Sequence, residues 1–96
     1  MAGGLQFQRY NLGHLDPGAT VVVTLSTGAN VRLMTEAEFQ NFRARRPHRY
    51  QGGLARRSPV RLPIPHSGNW IVTIDLAGLA ATTVTSRVGV EHGSTT

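Results

Sequence analysis

The chain has 96 residues, 40% apolar and 16% charged, a balance that fits one small globular domain and excludes an intrinsically disordered chain. It has no cysteine, which excludes a disulfide framework and a thiolate metal site and fits a reducing cytoplasm. The formal net charge is +5 and all ten basic side chains are arginine, so acidic partners are favoured.

Leu5–Tyr10 alternates apolar and polar residues, the pattern of a half-buried strand. Within Asn11–Gly18, which follows, the Asp16-Pro17-Gly18 run is a turn signal, because proline presets φ and glycine accepts positive φ. Ala19–Leu25 is dense in β-branched residues and reads as a buried strand, and Asn30–Met34 alternates again across the short Ser26–Ala29 connection. Residues 20–34 are therefore expected to form a hairpin.

One helix is signalled, over about 36–45. Thr35 and Glu38 have the spacing of a capping box, and Met34 and Phe39 that of a hydrophobic staple. Glu36 and Glu38 sit where the positive end of the helix dipole favours them. Arg43, Arg45 and Arg46 suit the last turn, and Pro47 ends the element.

His48–Ser58 reads as irregular, centred on Gly52-Gly53. Pro59–Pro65 alternates but is interrupted by prolines that cannot donate ladder hydrogen bonds, which marks an edge strand. After a turn at His66–Asn69, Trp70–Leu76 is the strongest strand, with Trp70, Val72, Ile74 and Leu76 on one face and Trp70 expected in the core. Thr82–Val90 is a last strand, and Glu91–Thr96 a frayed tail. Together these elements predict one mainly β domain over 1–96, with its core over about 5–90 and short tails at 1–4 and 91–96. An antiparallel sandwich or small barrel carrying one short helix is the expected packing.

Several blocks taken together resemble a bacterial family known as domain of unknown function 1883. They are the Asp-Pro-Gly turn before the Val-rich strand, Asn30–Met34, Tyr50–Ala55, Ser58-Pro59-Val60, Ile64–Trp70 and Asp75–Leu79. The resemblance runs from about Gln6 to Val90. It implies a compact, mostly β domain, and the occurrence of some relatives beside TIR-type signalling domains implies a sensing or interaction role. The family carries no established catalytic or binding residue to transfer.

The feature with most chemistry is the basic segment. Arg43, Arg45, Arg46, Arg49, Arg56, Arg57 and Arg61 fall between Glu38 and Asp75 with no acidic residue among them. Arg45, Arg46, Arg49, Tyr50, Gly52, Gly53, Arg56 and Arg57 are the candidate binding residues. Arginine forks pair with carboxylates and phosphates, Tyr50 offers a stacking face, and Gly52-Gly53 a backbone nest for an anion. The plainer alternative is a solvated basic loop, partly neutralised by Glu36 and Glu38. The expected partner is an acidic protein surface or a phosphorylated ligand, with self-association through an edge strand as a further route. Single-stranded nucleic acid or a nucleotide is the alternative, although no RNP, KH, helix-turn-helix, Walker or dinucleotide signature is present.

Hydrolytic chemistry would need Ser58 or Ser67 with His66 and Asp75, and no nucleophile elbow accompanies them. His14, Asp16 and His66 lack metal-ligand spacing. No enzyme activity, cofactor or metal is therefore expected. No apolar run approaches the roughly 18 residues of a membrane span, and Met1–Gly4 lacks the basic flank and apolar stretch of a signal peptide. A soluble cytoplasmic protein without a membrane partner is expected.

Overall fold

The computed structural model describes residues 7–92. In chain order these form β1 (Gln8–Leu15), β2 (Ala19–Leu25), β3 (Ala29–Thr35), α1 (Glu36–Arg43), β4 (Gln51–Ala55), β5 (Val60–Pro63), β6 (Gly68–Asp75) and β7 (Ser86–His92). The strands make a four-stranded sheet in the order β1-β6-β3-β4 and a three-stranded sheet in the order β5-β2-β7, with every ladder antiparallel. The architecture is a small β-sandwich with one short helix.

The alternation within strands builds the core. Val21 and Val23 on β2, Leu62 on β5, Val31 and Leu33 on β3, and Trp70, Val72 and Ile74 on β6 meet in one buried cluster between the sheets. At roughly 25 cal/mol per Å² of apolar surface removed from water, this cluster is the main favourable contribution to the fold. The opposite face of β6 is buried as well. There Ile71 packs with Met34, Phe39 and Phe42, so α1 lies on the outside of the larger sheet.

Both staple residues, Met34 and Phe39, are buried, as their positions predict. Thr35 is the N-cap, its hydroxyl accepting from the Glu38 amide at 3.3 Å. The Glu38 carboxylate turns instead to the Arg49 amide, at 2.8 Å. The capping box is thus half used locally and half used to hold the following loop.

The structure corrects several expectations. Residues 20–34 do not form a hairpin, because β2 and β3 belong to different sheets. Each strand has a fully apolar face, and the two bury those faces against each other instead of lying side by side, so Ser26–Gly28 is a corner between sheets. The first strand runs on through Asn11–Leu15, and the Asp16-Pro17-Gly18 turn follows it as expected. The register slips between Asn11 and Gly13, and Gly13 takes φ 70° with its amide held by the Asn11 side chain at 3.1 Å. This bulge lets Tyr10, Leu12 and Leu15 all reach the core side, which strict alternation forbids.

The helix ends at Arg43 instead of 45. His48–Ser58 is not wholly irregular, since it contains β4. Glu91 and His92 are part of β7, which begins at Ser86; the rest of the expected C-terminal tail, with Leu5, Gln6 and the N-terminal tail, lies outside the described residues. The proline-interrupted segment is an edge strand, as expected.

Trp70 is 3% exposed, and its indole N–H donates to the His66 carbonyl at 3.2 Å. Replacing it with alanine empties the middle of the inter-sheet cluster. Trp70→Ala is expected to lower stability by about 3–5 kcal/mol in a urea unfolding experiment. A loss below about 1 kcal/mol would contradict a core role.

Candidate functional site

The basic segment starts at the C-terminus of α1. The Arg45 amide donates to the Phe42 carbonyl at 3.1 Å and the Arg46 amide to the Asn41 carbonyl at 2.8 Å, which together make a Schellman ending. That ending needs a left-handed residue after the cap. Glycine is the usual occupant, but here Arg45 takes it, at φ 60°. Arg46 is further held by its side-chain Nε donating to Asn41 Oδ1 at 3.2 Å. Arg49 is held by its backbone alone, through Glu38, and its side chain is exposed.

Tyr50 and Leu54 are the large apolar residues left most exposed, at 45% and 48%. Their strand neighbours in register place them on the outer face of the four-stranded sheet. Gly52 pairs there with Arg32 and Leu54 with Asn30. The guanidinium of Arg32 stacks 5.3 Å from the Tyr50 ring centre and 5.9 Å from that of Phe42, and its Nη1 pairs with Asp75 Oδ2 at 2.6 Å. Asp75 is almost fully buried, also accepting from Asn30 and the Ala77 amide. Arg32 is thus a scaffold cation, neutralised and stacked, and it props Tyr50 from beneath together with the His48 ring, 5.4 Å from Tyr50.

Gly52 and Gly53 do not form a turn nest. They lie inside β4, in register with Arg32 and Val31, at φ 103° and 136°. A Cβ on Gly52 would be driven into the Val31 carbonyl oxygen, whereas one on Gly53 would meet open space. Gly52 is there for close backbone approach, and Gly53 leaves the strand bare on the side facing β5.

β4 therefore divides the basic segment. Arg43, Arg45, Arg46 and Arg49 lie before it, Arg56 and Arg57 after it. At about 3.4 Å per residue, Arg49 and Arg56 are roughly 20 Å apart. Arg61 lies on β5 in the other sheet, paired with Glu91 on β7 at 2.5 Å. Among the described residues, it is the one arginine of the segment within ion-pair distance of a carboxylate. The candidates thus form two exposed basic groups at the ends of one edge strand, with Tyr50 and Leu54 between them.

Two clefts adjoin that strand. One, of about 450 Å³, separates β4 from β5 and is lined by Gly53, Leu54, Ala55, Arg56, Arg57 and Val60, among others. The other, of about 350 Å³, lies at the opposite end and includes Glu38, Arg49, Tyr50, Gln51 and His66. Leu54 and Arg32 escaped the sequence reading. Leu54 looked like part of a loop, and Arg32 lies outside the basic run; only the register of β3 and β4 brings it under Tyr50.

The residues considered for hydrolysis are not brought together. Asp75 ends β6 and His66 lies just before its start, so the length of that strand, about 24 Å, separates them. Ser58 accepts from the Leu25 amide at 2.9 Å. Ser67 donates to Asp16 at 2.6 Å, and His14 meets the same carboxylate oxygen at 2.9 Å. The Ser67 hydroxyl, with His14 beside it, holds the exposed Asp16 carboxyl below the usual carboxylate range. In that order the serine faces the carboxylate instead of the imidazole, which is not the order of a Ser-His-Asp triad. Among the described residues no three potential metal ligands converge, and no helix is long and apolar enough to cross a membrane.

The two backbone anomalies respond oppositely to substitution. Gly52→Ala should destabilise by at least about 2 kcal/mol, since both its φ and its closeness to Val31 resist a side chain. Arg45→Gly should stabilise by about 1 kcal/mol by relieving a left-handed arginine, with denaturant midpoints reading both. A midpoint unchanged or lowered in Arg45→Gly would show that the arginine side chain makes up for its strain.

No curated protein and no solved structure matches the chain. A family model described as domain of unknown function (DUF1883) matches residues 5–91. That span takes in both sheets and the whole basic segment, and the chain belongs to the DUF1883 family.

Proposed function

We propose that the chain is a non-catalytic binding module of the cytoplasm, whose basic surface takes an acidic or phosphorylated partner. The observation that carries this reading is the placement of Arg45, Arg49, Arg56 and Arg57. They are exposed, without carboxylate partners among the described residues, and set at both ends of one edge strand. A basic composition alone says little, but here the arginine side chains gather at one edge, and the carboxylate beside them, Glu38, is bonded to the Arg49 backbone and not to a guanidinium. Arginine suits such a role because its fork is planar and pairs bidentately with carboxylate or phosphate.

Nucleic acid is the less favoured ligand on structural grounds. Tyr50 is the aromatic exposed in this surface, and its ring already packs against Arg32 and His48. Only the part of the ring that those two groups leave exposed is open to a base.

The test is a titration of the full chain with polyglutamate, polyphosphate and a single-stranded oligonucleotide at several salt concentrations. Binding of polyglutamate or polyphosphate should weaken with salt, and should fall about tenfold or more in a variant carrying Arg49→Glu, Arg56→Glu and Arg57→Glu. Absence of salt-dependent binding to any polyanion would overturn the proposal. Binding restricted to the oligonucleotide, with a steep salt slope, would overturn it in favour of nucleic acid.

A further inference from the structure

We infer that β4 is a strand-addition site, and that its occupant is an acidic, extended segment of another protein. This rests on the basic-surface reading above and adds the mode of recognition.

The two long sides of the sandwich are closed unequally. Where β1 meets β7, the sheets are stitched together. The Gln8 side-chain Nε2 donates to the Val84 carbonyl at 2.9 Å, the Tyr10 hydroxyl bonds the Ser86 hydroxyl at 2.6 Å, and Ser86 also reaches the Gln8 side chain. Where β4 meets β5, one long contact spans the gap, from the Gln51 side chain to the Pro63 carbonyl at 3.4 Å, and the 450 Å³ cleft opens beside it. The side carrying the arginines is the side left open.

The strand edges differ in the same sense. β1 is bulged between Asn11 and Gly13, and β5 carries Pro63 and follows Pro59, both ordinary means of blocking edge pairing. β4 and β7, the other two edges, have neither bulge nor proline, and of the two β4 lies on the side left open. Its free backbone edge is flanked by Gly52 and Gly53, which put no side chain in the way. The cleft beside Gly53 is open, since a Cβ built on Gly53 itself meets nothing within 4 Å, and that space can take an apolar side chain of an added strand.

Charge selects the occupant. A second copy of β4 paired in antiparallel register sets Arg49 against Arg56 and Arg57 of its mate, and parallel pairing sets each arginine against itself. Like charges directly opposite are destabilising in either case. An acidic strand reverses the sign at both ends, so the same arginines reject self-pairing and accept a carboxylate-bearing chain. Strand addition supplies main-chain hydrogen bonds for affinity, with alternate side chains read by the cleft on one face and by Tyr50 and Leu54 on the other.

The probe is a short synthetic peptide of alternating valine and threonine between glutamate pairs, tested against the full chain. It should bind, slow amide hydrogen exchange across Gln51–Ala55, and lose about tenfold or more in affinity when its own backbone amides are N-methylated. Arg56→Glu with Arg57→Glu should weaken it about tenfold, and a lysine-flanked version of the peptide should regain the loss on that variant. Binding that leaves β4 exchange unchanged and ignores N-methylation overturns strand addition while leaving the basic-surface reading intact. Failure of every acidic probe overturns both. Protection of β4 that rises with protein concentration in the absence of peptide makes a second copy the occupant, and overturns the inference.

Discussion

β6 lies inside the larger sheet with β1 on one side and β3 on the other, and from Trp70 to Asp75 it is buried on both faces. Everything else in the molecule is arranged to cover those two faces. The inner face, Trp70, Val72 and Ile74, is covered by the smaller sheet. On the outer face Ile71 is covered by α1. Thr73 is covered by the arginines beside it in register, Arg9 and Arg32, whose guanidinium groups lie over Phe39 and Phe42. Asp75, the last residue, is the buried charge that this arrangement must neutralise, and Arg32 does so. Removing one partner of such a pair leaves an uncompensated charge, so the pair fixes β3 against β6 even if it adds little net stability.

Covering β6 from outside has a consequence for the surface. The helix must cross the sheet at the Met34–Ile71 end, and it is short, so its left-handed exit returns the chain at once toward the edge next to β3. That edge is β4. The arginines crowding the helix end and the β4–β5 connection are thereby delivered to the two ends of a single strand. Glu38 completes the delivery by holding the Arg49 amide, work done by a carboxylate that a self-contained capping box would have kept for itself.

Closure of the sandwich is unequal for an equally local reason. Tyr10, Gln8 and Ser86 carry side chains long and polar enough to bridge the β1–β7 side. The β4–β5 side has glycines and prolines, and among the described residues the long Gln51–Pro63 contact is its one hydrogen-bonded bridge. A groove is what remains when two edge strands approach with so little to join them.

The local signals that proved readable were those in which a single residue type does one job. The alternation in Trp70–Leu76, the proline-broken edge at 59–65, the staple of Met34 on Phe39 and the N-cap at Thr35 all depend on neighbours in sequence. What failed depended on neighbours in space. Gly52-Gly53 looks like a turn because glycine pairs usually are; it is a strand because Val31 comes too close for a side chain, and β3 lies some twenty residues upstream. The two valine-rich runs at 19–34 look like a hairpin, and they separate into two sheets because both have a face that needs burying. A β-rich domain, one capped helix, a buried tryptophan strand and an arginine-dense segment free of acids follow from residue chemistry and spacing alone. That the middle of this segment is an edge strand with a basic group at each end does not. Backbone pairing between distant strands and the closure of a sandwich are properties of the packed chain, which local periodicity does not carry.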